Sequence, residues 1–214
     1  MGDVLGIFRF GRQPHIEEFS KLGRLYMKPI SYFRELERDH LRGDPVEGTT
    51  WTMPSSKAEL QVEVHGEFQT IPGITGAVRF SSDRDSTLNV FCMYALRLKH
   101  RETLIDPRNF TFGDTYATLL DADEFLRRVQ RASIPPGQQL QYRLVEYVSP
   151  TEYLGPMGAF RKFANFEYQS EFRIAVVPGT GGDFGLDVGD LSDLVLTGEL
   201  QGVNNRIRVV ESAG

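Results

Sequence analysis

The chain has 214 residues, 40% of them hydrophobic, which is enough for an ordinary globular core without disulfide staples. Its formal net charge of −5 excludes a broad basic grip on nucleic acid, though not a local basic groove. The single cysteine, Cys92, rules out an intramolecular disulfide, and no apolar run reaches membrane-spanning length.

The opening Val4-Leu5-Gly6-Ile7-Phe8-Arg9-Phe10 reads as a strand closed by Gly11. Pro14 suits the first turn of a helix, Glu17 and Glu18 favour its positive end, and Gly23 suits its C-cap. Arg24-Leu25-Tyr26-Met27 is a second strand, and Ser31 is placed to cap a short helix within residues 29–37. Residues 38–48 mix both charge signs with two glycines and a proline, so they read as a loop on the surface.

From Leu60 the texture becomes β-rich. Leu60-Gln61-Val62-Glu63-Val64-His65 alternates with period two, as a half-buried strand does. Strands are also expected at 77–80, 88–98, 110–120 and 141–148. The stretch 88–98 is nearly continuous in apolar character and therefore central, and Cys92 within it reads as a small buried hydrophobe. Asp121 or Asp123 starts a helix with acids first and arginines last. A short helix over 157–162 precedes a strand over 166–177. The run Gly179-Thr180-Gly181-Gly182 reads as a hairpin turn, and 194–196 and 207–210 read as terminal strands. Many strands with few dispersed helices predict one α+β domain over residues 1–214, with a mixed, mostly antiparallel sheet. The first residues lack a basic region followed by an apolar stretch, so no leader is expected; with the lone cysteine this predicts a cytoplasmic protein.

Several chemistries find no motif. None of His15, His40, His65 and His100 has a partner at metal-ligand spacing, so no zinc site is expected. There is no P-loop, no nucleophile elbow, and no helical pattern after residues 179–182 to make them a dinucleotide fingerprint. The segment Phe166-Glu167-Tyr168-Gln169-Ser170-Glu171-Phe172-Arg173 is more informative. As a strand it sends Phe166, Tyr168, Ser170 and Phe172 one way and Glu167, Gln169, Glu171 and Arg173 the other, with Lys162 just upstream. That polar ladder reads either as a water-facing sheet face with ordinary charge pairing or as a site.

The stretch from Lys162 through Phe166, Tyr168, Gln169, Glu171 and Phe172 to Arg173 resembles the signature of a group of uncharacterised bacterial domains. In that group a Lys is followed by an aromatic residue and then Tyr-Glu-x-Glu-Tyr-Arg, and some relatives are associated with abortive infection against phage. Asp44-Pro45-Val46-Glu47 and Phe112-Gly113-Asp114 leading to Glu124-Phe125-Leu126 agree loosely with it, whereas Gln169 replaces its usual Glu. Gln-x-Glu on a late strand is similar to the catalytic strand of ADP-ribosyltransferases. That resemblance implies a mixed sheet gripping NAD, with Arg9 on the phosphates, Glu171 on the nicotinamide ribose, and Gln169 orienting an acceptor, which would be a protein or a nucleic acid. For the middle motif of that family, Tyr94 or Ser81-Ser82 are the nearest matches, and Lys162 and Arg173 add cations beside Glu171. The residues support two other readings: a non-enzymatic interaction domain of a defence or counter-defence system, and a nuclease-like metal site at Asp39, Asp44 and Glu47.

Overall fold

A computed structural model describes residues 2–35, 46–73 and 75–210. It is an α+β fold whose sheets are mostly antiparallel. Strand β1 (Val4–Gly11) runs into helix α1 (Gln13–Leu22), whose first backbone N–H, at Gln13, donates to the Asp114 carboxylate at 3.0 Å. Ile16 and Phe19 form its buried stripe. Gly23 closes the helix at φ 61°, and a Cβ there would fall 1.7 Å from the Gly189 carbonyl oxygen, so only glycine fits. Strand β2 (Arg24–Pro29) and the short helix α2 (Ile30–Glu35) follow. Ser31 thus lies inside α2 instead of capping it.

Strand β3 (Trp51–Pro54) precedes an isolated hairpin of β4 (Leu60–Val64) and β5 (Glu67–Ile71). His65 and Gly66 turn this hairpin with φ of 53° and 88°, the paired positive values that match strand twist. Every residue of β4 is exposed, so the half-burial expected from its alternation is not met; among the described residues only β5 pairs with it. Strand β6 (Ala77–Phe80) pairs with β3, and the short helix α3 (Asp83–Ser86) leads to β7 (Asn89–Arg97), the central strand.

Residues 110–120 are not one strand: a 3₁₀ segment, Pro107–Phe112, capped by the Asp106 carboxylate, comes before β8 (Thr115–Leu119). Helix α4 (Ala122–Arg131) is capped by Asp121, and its Phe125, Leu126 and Val129 are buried. Residues 141–148 likewise divide, at Val145, into β9 (Gln139–Leu144) and β10 (Glu146–Val148). Strands β11 (Gly155–Pro156) and β12 (Arg161–Phe163) flank a 3₁₀ turn, where a helix is expected over 157–162. Strand β13 (Glu171–Val177) leads through residues 179–182 to β14 (Phe184–Asp187), which pairs with β2 and not with β13, so that turn is not a hairpin. Strand β15 (Val195–Glu199) is the last, since residues 207–210 form none.

The main sheet branches. Strands β7, β13 and β9 are its stem. The free edge of β7 is shared by two strands end to end: β1 pairs with residues 94–97, and β2 with residues 89 and 90. Beyond this junction β1 continues to β8 and β15, whereas β2 continues to β14. Helices α1 and α4 cover one sheet face with a core that includes Phe19, Phe91, Phe125 and Phe172. The other face is covered in two patches, one around Phe8, Phe10 and Tyr94 and one around Ile30, Val90 and Ala175.

Candidate functional site: a cleft at the branch of the sheet

On the edge shared by β1 and β2, β7 leaves residues 91–93 without a partner among the described strands, while its other edge pairs with β13. A cleft of about 860 Å³ enters at this gap, within the range of small-ligand sites. Arg9 fills part of the missing ladder: its Nη1 donates to the Cys92 carbonyl at 2.9 Å, and its guanidinium lies 4.7 Å from the Phe91 ring centroid. Register places Arg9 on the α1 side of the sheet and Glu171, opposite Tyr94, on the other side. Because the sheet is open here, both line the same cleft, together with Lys162, Gln169, Arg173 and Tyr94.

Arg9 makes no ion pair among the described residues. Burial lowers its pKa, as expected of a guanidinium drawn out of water without a carboxylate. The rest of the wall includes the rings of Tyr26, Tyr32, Phe33 and Phe112, the cations Arg12 and Arg24, and the acids Glu18 and Asp114.

Opposite Arg9 lies a closed ring of four charges. Arg173 Nε donates to Glu171 Oε2 at 2.5 Å, and its Nη1 and Nη2 grip the two Glu47 oxygens at 2.6 and 3.2 Å. Lys162 Nζ completes the circuit, 2.7 Å from Glu171 Oε1 and 3.1 Å from Glu47 Oε2. Signs alternate around the ring, two carboxylates against two cations, so each charge has two opposite neighbours. The side chains of Glu47 and Arg173 are 1% exposed, and those of Lys162 and Glu171 are 5% and 9% exposed. Charges this dry persist only when fully compensated. The Ala159 carbonyl accepts from Arg173 Nη1, and Gln169 Oε1 accepts from Lys162 Nζ, each at 2.7 Å.

Local backbone explains how these side chains meet. Residues 166–173 are not a continuous strand. A 3₁₀ segment, Ala164–Gln169, ends at Ser170 in the left-handed region, φ 39°, and the extended chain begins only at Glu171. The Ser170 hydroxyl donates to the Ala95 carbonyl and the Ala95 N–H donates to the Ser170 carbonyl, both at 2.7 Å, which clamps this unusual corner to β7. The ladder of Glu167, Gln169, Glu171 and Arg173 is therefore broken at its first member. Glu167 is exposed and pairs with Lys99, whereas Gln169, Glu171 and Arg173 are buried.

The electrostatics define what Glu171 is able to do. Burial opposes its ionisation, but Arg173 and Lys162 together outweigh burial and hold the carboxyl at about 2. Glu47 is lowered in the same way, by Arg173 and Lys162 against its burial. Burial also works against the charge of Arg173, yet Glu171 and Glu47 raise its pKa well above the ordinary guanidinium value. At neutral pH Glu171 is thus a fixed negative charge. A carboxylate held this far below neutrality is a poor proton shuttle, and its negative charge is shared between Lys162 on Oε1 and Arg173 on Oε2.

Tyr94 lines the cleft, but its hydroxyl donates to the Leu104 carbonyl at 3.3 Å, its ring packs on Phe10, and burial raises its pKa. Cys92 is half-buried, and burial pushes its thiol up to about 12, the behaviour of a packed side chain and not of a nucleophile. Asp39, His40 and Asp44 lie outside the described residues. The third member of the acidic group read as a metal site, Glu47, has both oxygens taken by Arg173 and Lys162. No group of three or more metal-ligating side chains is found among the described residues. No described helix is long and apolar enough to cross a membrane.

Glu47 is the residue that reading the chain left outside the site. It lies 126 positions from Arg173, so no local pattern joins them. Comparison with known protein families, curated proteins and solved structures gives no match.

Proposed function

We propose that the cleft binds NAD and that the chain is an ADP-ribosyltransferase-like, NAD-consuming enzyme acting in bacterial or phage conflict. One observation carries this reading: Arg9, which has no ion pair among the described residues, and an ionised Glu171 line a single cleft, although they project from opposite sheet faces. The NAD pyrophosphate is the anion that Arg9 receives, with bidentate contacts that only a guanidinium provides. The aromatic wall of Tyr26, Tyr32 and Phe33 suits flat rings. Glu171 faces the nicotinamide ribose. When the bond from ribose C1′ to nicotinamide breaks, nicotinamide leaves with the bonding electron pair and positive charge grows on the ribose. A carboxylate already ionised and immobile lowers that barrier without reorganising. Water or an acceptor nucleophile then bonds to C1′ and releases one proton to solvent. Gln169, held by Lys162, orients that acceptor, a protein or nucleic-acid group.

Incubating the purified protein with NAD and separating products by chromatography tests the reading. Free nicotinamide is expected from the wild type. Glu171→Gln is expected to lower its rate at least 100-fold, the scale of losing a preorganised charge that acts on the transition state. Equal rates from both proteins would sink the enzyme reading.

A second reading, a non-enzymatic interaction domain of a defence or counter-defence system, is favoured by two specific observations. Both oxygens of Glu171 are engaged in the charge ring. In addition, the β4–β5 hairpin exposes Leu60, Val62, Val64, Phe68 and Ile71. On that reading NAD is left intact and substitutions in the hairpin, not in the cleft, disturb partner capture.

A further inference from the structure

The geometry points to Glu47 as a positioning residue for Glu171, one that sets the site's charge balance without touching ligand. Glu47 does not line the cleft, whereas Lys162, Gln169, Glu171 and Arg173 do. It lies behind them and reaches the cleft only through the two cations that hold Glu171. Its bidentate contact uses Nη1 and Nη2 of Arg173 and leaves Nε to point at Glu171 Oε2, which fixes the guanidinium plane. Its Oε2 also holds Lys162 on the far side from Glu171 Oε1.

Glu47 is itself anchored. Its carbonyl accepts from Arg34 Nε at 3.1 Å, and the turn it occupies is closed by the Thr49 N–H donating to the Val46 carbonyl at 3.1 Å. The next residue, Gly48, has φ 70°, and a Cβ there would meet Ile30 at 2.3 Å, so the turn packs directly on α2. This turn thereby positions two cations, and the cations position the Glu171 carboxylate. Charge balance makes the second part of the case. Without Glu47 a single carboxylate faces Lys162 and Arg173, the ring carries a net positive charge, and the field that Glu171 offers to a cation in the cleft is cancelled. An anionic ligand, in contrast, is attracted no less.

This inference rests on the proposed NAD reading for its kinetic consequence, but its structural part is tested without ligand. The probe is exchange of the Arg173 Nε–H with solvent, followed by NMR and assigned by its loss in Arg173→Lys. In the wild type this proton is protected by Glu171. In Glu47→Gln its exchange is expected to rise at least tenfold, while the amides of Ile174, Ala175 and Val176 keep their protection. That pattern separates lost positioning from lost folding. Should Glu47→Gln fail to fold, Glu47→Asp, which keeps the charge but shortens the reach, is expected to give an intermediate rise. Unchanged Nε–H exchange in the folded variant overturns the inference.

Kinetics supply the second arm. Glu47→Gln is expected to lower kcat for nicotinamide release at least tenfold with KM for NAD unchanged or lower, and Glu47→Asp to recover part of kcat. A raised KM with unchanged kcat contradicts positioning. If the wild type releases no nicotinamide, the NAD reading falls and the Nε–H exchange alone decides the role of Glu47.

Discussion

The β4–β5 hairpin and the ring around Glu171 invert the usual rule of burial: apolar side chains meet water in one, and charges are buried in the other. The hairpin places Leu60, Val62, Val64 and Ile71 on one side of a two-stranded ribbon and leaves them all exposed. The ring gathers two acids and two bases from β12, β13 and the Glu47 turn and leaves them almost no contact with water. In both, what packs alongside decides the burial and the hydrophobicity of the side chain does not. The hairpin pairs only with itself, a marginal arrangement in water. The ring sits where β13, β12 and the Glu47 turn converge on the branch of the main sheet. Buried charge therefore marks the site here, and exposed apolar surface marks a face with no neighbour among the described residues.

The largest effect should come from opening the ring. Arg173→Met leaves two carboxylates buried against Lys162 alone and is expected to cost about 3–5 kcal/mol, the scale for removing one partner of a buried ionic group. Urea unfolding at neutral pH measures it; a loss below about 1 kcal/mol would mean that water relieves the ring and that its charges are not truly buried.

Acid should act on the ring next. Glu171 titrates at about 2 in the folded chain against an ordinary 4.5, and Glu47 is shifted in the same direction. A depressed carboxylate contributes stability that is fully present above its unfolded pKa. From Glu171 that contribution is on the order of 3 kcal/mol, and it disappears as pH falls from about 4.5 toward 2. Unfolding free energies measured at intervals between pH 7 and pH 2.5 should fall mainly over the lower half of that range. In Glu171→Gln the fall should be shallower, and an equally steep fall would place the acid sensitivity elsewhere. The smallest effect belongs to the hairpin, where Val62→Thr is expected to change stability by no more than about 0.5 kcal/mol. A larger loss in the same urea assay would show that β4 is covered in solution.

The same contrast marks how far the chain was legible. The unit from β1 through α1 to β2 could be read directly, because Pro14 and Gly23 are local stops and starts that the structure keeps. The central strand β7 was legible for its apolar run, and of the two starts the sequence offered for α4, Asp121 and Asp123, the structure uses Asp121. Alternation predicts which side chains share a face, but not what covers that face. It therefore placed Val62 half in the core and left the surroundings of Arg173 open. It also carries no information across a change of backbone state. The left-handed Ser170 separates a 3₁₀ segment from β13, and nothing in Phe166-Glu167-Tyr168-Gln169 announced that break. Glu171, Gln169, Lys162 and Arg173 were recognisable as a group by proximity in the chain. Glu47 was not joined to them, because an ion pair between distant segments leaves no local pattern.

On the proposed reading Arg9 and Glu171 serve one NAD-binding cleft. Isothermal titration of NAD into the wild type and into Arg9→Gln tests it most directly, with circular dichroism confirming that both are folded. Saturable one-to-one binding is predicted for the wild type, weakened about tenfold or more in Arg9→Gln through loss of charge-assisted bonds to phosphate. Absence of binding to the wild type, or identical affinities for the two proteins, would contradict it.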